Sequence, residues 1–226
     1  MQVIVLADGQ VGPRAALDAA WSGWLEPGAL VVAADGGARH AEPLGLHIDR
    51  WVGDGDSLGE DGIAALEAAG VPVERARPDK DESDTELAVM AARALGATRV
   101  TVLGALGGPR IDHALANLGL LSMPDLAGLE VRILAADARI RYLRAPAPGG
   151  GRVTQDLGGG VGDLVSLLAI GGDAAGVTTH GLAYPLDDEA LLAGRTRGLS
   201  NIRELPDASV SLRAGQLLVI ESPATL

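Results

Sequence analysis

Three polar groups, each punctuated by or adjoining glycine or turn residues, have the composition of a site that handles charged oxygen. Gly53-Asp54-Gly55-Asp56-Ser57 sets two carboxylates two residues apart, so both can turn onto one ion. Magnesium takes oxygen ligands, accepts few protein carboxylates and keeps positions for water and substrate phosphate. The same five residues also read as an acidic turn, because Asp and Gly are favoured there for backbone reasons. The second group, Asp79-Lys80-Asp81-Glu82-Ser83-Asp84-Thr85-Glu86, contains a capping box in Ser83 and Glu86, with Asp84 placed to complement a helix dipole. Capping leaves Asp79, Lys80 and Asp81 without a purpose. Lys80 is the one lysine among eighteen basic residues, and a compact ammonium suits phosphate oxygens. The third group, Gly104-Ala105-Leu106-Gly107-Gly108-Pro109-Arg110-Ile111-Asp112-His113, offers backbone N–H groups at a helix start and a guanidinium for bidentate phosphate binding. It is not a Walker A loop, since no Gly-Lys-Ser/Thr follows. Asp112 could equally cap the helix, and His113 could be an ordinary surface histidine.

These groups need strands and helices to hold them. Up to about residue 136, short β-branched runs alternate with stretches of helical period, the pattern of βα units around a parallel sheet. Strands are expected at Val3 to Ala7, Leu30 to Ala34, Arg50 to Val52, Val71 to Val73, Arg99 to Leu103 and Val131 to Ala135. Helices are expected near 13–24, 59–69, 84–95 and 111–122, with Pro13 and Pro124 as start and stop signals. The acidic and glycine groups then fall at the carboxyl ends of successive strands, where open α/β sheets place their ligands. After about residue 137, glycine clusters at 149–151, 158–160 and 171–172 separate short runs, with strands expected around 139–144, 163–169, 174–181, 208–213 and 217–221. That density suits a small sandwich or barrel. Two domains, 1–136 and 137–226, fit better than one.

Composition removes several classes of function. There is no cysteine, hence no disulfide framework, thiolate metal site or cysteine nucleophile. The net charge of -12 opposes a nucleic-acid partner. Twelve carboxylates stand against four basic side chains between residues 49 and 86, so the acidity is concentrated where a cation would be useful. No secretory leader and no apolar run long enough to span a bilayer are evident, which gives the expectation of a soluble, cytoplasmic protein without a membrane partner.

Six motifs in order resemble those of the thiamine pyrophosphokinase family over nearly the whole chain. Asp35-Gly36-Gly37-Ala38, Gly53-Asp54-Gly55-Asp56-Ser57, Asp79-Lys80-Asp81 with Asp84, and Gly107-Gly108 with Arg110, Asp112 and His113 are similar to the nucleotide half. Gly181-Leu182-Ala183-Tyr184-Pro185-Leu186 and Gly198-Leu199-Ser200-Asn201 are similar to the thiamine half. The resemblance implies an open, mostly parallel, Rossmann-like α/β domain that binds ATP, followed by a β-sandwich that binds thiamine, in a homodimer with sites at the subunit interface. It implies that Asp54, Asp56 and Asp84 hold Mg2+ with the triphosphate, with Arg110 and Asp112 beside them. Asp35, Gly36, Gly37, Lys80, Asp81, Gly107, Gly108 and His113 would lie on the ATP side, and Ser200 and Asn201 on the thiamine. Pro109 intrudes before the arginine, and Ile202-Arg203-Glu204 stand where the family usually has an aromatic residue. Tyr184 could supply that ring, or sit in the core as strand aromatics do.

The implied reaction is transfer of diphosphate from ATP to thiamine, releasing AMP. Other readings are a pyrophosphokinase for another alcohol such as a hydroxymethylpterin, a glycosyltransferase with Asp54-Gly55-Asp56 as its metal element, and a non-catalytic nucleotide- or thiamine-binding sensor.

Overall fold

The structure is a computed structural model that describes residues 1–145 and 151–224. Of the glycine cluster at 149–151, Gly149 and Gly150 lie outside the described residues. The chain divides into two compact units, Met1–Ala136 and Asp137–Leu226.

The first unit is built on six strands: β1 (Gln2–Leu6), β2 (Leu30–Ala34), β3 (Arg50–Gly53), β4 (Val73–Arg75), β5 (Arg99–Leu103) and β6 (Glu130–Leu134). All pair in parallel, in the order β6-β5-β1-β2-β3-β4. Its helices are α1 (Arg14–Ala20), α2 (Glu60–Ala68), α3 (Asp84–Ala94) and α4 (Ile111–Leu120), and a 3-10 turn covers Asp35–His40. Every residue of β1 is buried, as expected of a central parallel strand covered on both faces. Gln2 is tolerated there because its amide donates to the Trp24 carbonyl at 2.7 Å and to Thr101 Oγ1 at 3.1 Å. Leu17, Trp51, Ile63 and Leu103 form the centre of one apolar cluster, and α3 packs across β1, β2 and β3. Strand numbering runs outward from β1 to β4 and then returns, so β1 and β5 are neighbours at the point where chain direction across the sheet reverses. Open α/β sheets form their ligand crevice at such a point.

Two expectations shift for identifiable reasons. α1 stops at Ala20 rather than reaching 24: Gly23 is left-handed (φ 71°), and Trp21 and Trp24 turn inward, their indole N–H groups donating to the Ala135 carbonyl and Asp18 Oδ1, each at 2.7 Å. β4 begins at Val73 rather than Val71, because Pro72 has no N–H to give a ladder and contributes only its carbonyl, to Trp51 N. Pro124 opens a short 3-10 turn, Pro124–Leu126, three residues after the C-cap of α4 at Leu121.

The second unit contains β7 (Arg139–Arg144), β8 (Val153–Leu157), β9 (Leu164–Ala169), β10 (Ala174–His180), β11 (Glu189–Leu191), β12 (Asn201–Ile202), β13 (Ala208–Leu212) and β14 (Gln216–Ser222). They form two antiparallel sets, β12-β9-β14-β7 and β11-β10-β13-β8. Apolar side chains from both sets, among them Leu143, Val165, Leu217, Val177 and Val210, belong to one buried cluster. A buried charge ties this unit together: Glu221 accepts from Arg139 (2.7 and 2.8 Å), Arg141 (2.9 Å) and the Gly158 N–H (2.6 Å). Among the described residues no helix is long and apolar enough to cross a membrane.

Candidate active site

A cleft of about 700 Å3 opens at the carboxyl ends of β1, β2, β3 and β5, a size in the usual range for small-molecule sites. Its floor depends on close backbone approach. A Cβ on Gly9 would lie 2.3 Å from the Gly104 carbonyl oxygen, and one on Gly104 (φ 69°) would lie 2.2 Å from that of Ala7. Asp8 and Gly9 after β1 and Gly104 and Ala105 after β5 thus meet across the reversal point and line the cleft.

Asp35 follows β2 directly, in the left-handed region (φ 40°) that side chains with a Cβ seldom adopt. The conformation is held from both ends. Its carbonyl accepts from Trp51 Nε1 at 3.1 Å, and its carboxylate accepts from the backbone N–H groups of Ser57 (2.9 Å) and Leu58 (3.0 Å). The loop carrying Asp54 and Asp56 is therefore anchored on Asp35. Arg39 adds a strap, donating to the Ser57 carbonyl while lying 3.6 Å from Asp8 Oδ1. Gly36 and Gly37 are buried behind the cleft rather than lining it; a Cβ on Gly37 would stand 2.1 Å from the Leu6 carbonyl oxygen.

Three carboxylates converge. Asp35, Asp54 and Asp84 each place a ligand atom within 4.8 Å of the others. Asp56 lies beside them: its N–H donates to Asp54 Oδ1 (3.2 Å), and its Oδ1 accepts from Ser57 Oγ (3.2 Å). Lys80 Nζ enters the cluster, 2.8 Å from Asp54 Oδ2 and 3.1 Å from Asp84 Oδ1. The Lys80 bond holds the Asp54 carboxyl below the usual carboxylate range, whereas burial pushes Asp84 and Asp35 up. For Lys80, burial works against the ammonium, but the two carboxylates outweigh it and its affinity for the proton is raised. Asp84 Oδ1 is buried and near enough to Lys80 for an ion pair, yet has no hydrogen-bond partner. An all-oxygen donor set, in which one buried oxygen has an ion-pair neighbour but no hydrogen bond, fits a hard divalent cation.

Two helix N-termini border the same cleft. At α3, Ser83 Oγ accepts from Glu86 N at 3.2 Å, and Ser83, Asp84 and Thr85 line the wall with Asp81. At α4, Gly107 and Gly108 are left-handed (φ 73° and 78°), and they line the wall with Pro109, Arg110 and His113. Such ends attract anions through free N–H groups and the helix dipole. Arg110 is paired with Asp112 at 2.9 and 2.6 Å, both exposed, which raises the Arg110 pKa and lowers that of Asp112 well below the carboxylate range. Asp112 stands outside the lining.

The sequence reading missed Asp8, Arg39 and Asn117. Asp8 shares the signal used elsewhere, an acid followed by glycine at the end of a strand. Asn117 had no such signal: it lies inside α4, buried, with its amide donating to the Ala105 carbonyl at 2.9 Å, and reaches the cleft only because α4 crosses behind the β5 loop.

In the second unit, Asn201 is buried and staples a loop, accepting from Tyr184 N (2.9 Å) and Ile202 N (2.9 Å) and donating to the Tyr184 carbonyl (2.7 Å). Tyr184 lies in that loop, not in a strand core, and is 66% exposed. Ser200 is exposed and left-handed (φ 56°), its N–H donating to Ser166 Oγ at 3.0 Å.

A family model for the thiamin pyrophosphokinase catalytic domain matches residues 24–133, and one for the thiamin pyrophosphokinase vitamin B1 binding domain matches residues 152–217. A curated thiamine pyrophosphokinase of Bacillus subtilis (strain 168) is 24% identical over 201 residues, covering 89% of this chain and 91% of that protein. A crystal structure of thiamine pyrophosphokinase from Bacillus subtilis matches with a TM-score of 0.82 at 23% identity, covering 99% of each chain. One from Geobacillus thermodenitrificans matches at 0.80 and 23% identity, covering 98% of this chain and 97% of that one. At these identities the structural likeness is one of fold.

Proposed function

Two models of one family match most of the chain in order, so it belongs to the thiamin pyrophosphokinase family, and from that membership we propose how its residues divide the work. The activity is transfer of a diphosphate group from ATP to the hydroxyl of thiamine, giving thiamine diphosphate and AMP. The presence of a catalytic match and a vitamin-binding match in the same chain carries this conclusion.

On our reading the first unit is a Rossmann-like ATP domain and the second a thiamine-binding β-sandwich. The triphosphate would meet the N-termini of α3 and α4 together with Arg110, which exchanges its partner Asp112 for phosphate. Gly107, Gly108, Asp81 and His113 would shape the nucleotide wall, while Gly36 and Gly37 act by packing behind it. Asp35, Asp54 and Asp84, with Asp56 beside them, would hold Mg2+, which when bound neutralises phosphate charge and polarises the transferring group. Asp35 has a second duty, since its bonds to Ser57 and Leu58 keep Asp54 and Asp56 aimed at the cleft. The thiamine hydroxyl would attack the β-phosphorus in line with AMP as leaving group, so alignment and charge stabilisation do most of the work. Tyr184 and Ser200 would touch thiamine, and Asn201 would fix the loop that presents Tyr184.

A homodimer is supported by α4, where Ile111 and Leu115 stand four residues apart at 72% and 62% exposure, an apolar stripe of the kind partners cover. His113, Ala114 and Asn117 of the same helix line the cleft, so a partner covering the stripe would pack on the opposite face of a helix that forms the site. We place the enzyme in the cytoplasm, where ATP is at hand.

Incubating the protein with thiamine, ATP and magnesium and resolving the products by chromatography tests the assignment. Thiamine diphosphate and AMP should appear in equal amounts. If neither forms, and a hydroxymethylpterin is pyrophosphorylated instead, the alcohol has been misassigned.

A further inference from the structure

Lys80, the chain's one lysine, sits where a free cation would sit. Its Nζ approaches Asp54 Oδ2 and Asp84 Oδ1, and both residues belong with Asp35 to the converging carboxylate group. A divalent ion drawn to that group would compete with the ammonium for the same oxygen atoms. Magnesium holds such oxygens at about 2.0–2.1 Å, and two cations sharing them at that range repel.

The two contacts are unequal. Lys80 makes a well-formed hydrogen bond to Asp54, while Asp84 Oδ1 is near without one. One well-formed hydrogen bond and one ion pair, on a flexible four-carbon stem, retain the ammonium. An arginine at this position would present a planar fork able to grip a carboxylate bidentately and would be harder to dislodge, which accounts for a lysine in a chain that otherwise uses arginine. There is also space for the side chain to move. Lys80 lines both the cleft and a second cavity of about 320 Å3, whose walls include Val52, Arg75, Ala76, Arg77 and Leu87.

We propose that Lys80 is an exchangeable counter-ion: in the metal-free site it holds Asp54 and Asp84 together, and it leaves them when a divalent cation binds, its ammonium then pairing with nucleotide phosphate. Lys80 is thus a positioning residue before nucleotide arrives and a phosphate ligand afterwards. The inference rests on the reading of this cleft as a metal-nucleotide site.

Amine acylation followed by peptide mass mapping tests it on the unmodified enzyme, without thiamine and without turnover. The Lys80 side chain is only 13% exposed, whereas the Met1 amine is exposed and serves as internal reference. At matched ionic strength, magnesium should accelerate acylation of Lys80 several-fold relative to Met1, and a non-hydrolysable ATP analogue added with magnesium should slow it again. Labelling that magnesium leaves unchanged or slows overturns the exchange. Labelling that stays fast with the analogue overturns the move to phosphate. Neither result depends on which alcohol is the substrate, so failure here is separable from failure of the product assay.

Discussion

Asp54 is engaged at both oxygens, by Asp56 N–H at one and by Lys80 at the other; an amide at this position keeps the size of the side chain and one acceptor for the Asp56 N–H, and gives up the Lys80 contact and the charge that a cation requires. The Asp56 carboxylate accepts from Ser57 Oγ through Oδ1, a bond that an amide oxygen can also accept, so its substitution should disturb the fold even less. Asp54→Asn and Asp56→Asn are each expected to lower AMP production at least about a hundredfold, the scale of losing one electrostatic contact to a transition state. Their melting temperatures should stay close to that of the unmodified protein; unimpaired turnover in both variants would refute the metal assignment. At this scale the sequence was informative wherever chemistry and backbone preference coincided. Asp54, Asp56, Lys80 and Asp84 were all visible as acids or a lone ammonium after a strand or before a helix. Asp35 was visible too, but on the nucleotide side, because its place among the carboxylates depends on a left-handed backbone and on two N–H donors from a different loop. Asn117 is a helix-interior amide in sequence and becomes a wall residue only through tertiary packing.

The 3-10 turn over Asp35–His40 packs against the strands β1, β2 and β3, with Asp35, Gly36 and Gly37 buried. Gly37 is its tightest point. Because an added methyl would stand 2.1 Å from the Leu6 carbonyl oxygen and 2.6 Å from its carbon, backbone atoms that cannot rotate away, Gly37→Ala must push the turn off β1. We expect a loss of about 2–3 kcal/mol, at the upper end of the overpacking range, read as a lower urea midpoint from tryptophan fluorescence; an unchanged midpoint would show that β1 yields. Elements with a clear pattern of their own were legible: α3 occupies Asp84–Ala94 and the β-branched run of β5 Arg99–Leu103. β8, β11 and β12 escaped notice for a physical reason. β8 is Val-Thr-Gln-Asp-Leu, and the other two span three and two residues, so their pairing is settled by neighbouring strands rather than by any apolar pattern of their own.

At the scale of the whole molecule, the exposed pair Ile111 and Leu115 calls for a cover, and a second copy is the cover we propose. Sedimentation velocity at micromolar concentration should give a dimer, and Ile111→Asp combined with Leu115→Asp should shift it to monomer; a monomer in the unmodified protein would contradict subunit-interface sites. Strand order was beyond the sequence, since nothing in β5 announces that it returns to lie against β1 with Gln2 opposite Arg99. That return has a kinetic meaning. The groups that form the cleft come from the loops after β1, β2, β3, β4 and β5 and from the starts of α3 and α4, spread over more than a hundred residues from Asp8 to Asn117. Closing so long a loop costs chain entropy before any contact repays it. The cleft therefore has no local precursor, and during refolding the capacity to bind should emerge in one late event, together with the burial of Trp51, whose indole N–H reaches the Asp35 carbonyl at 3.1 Å.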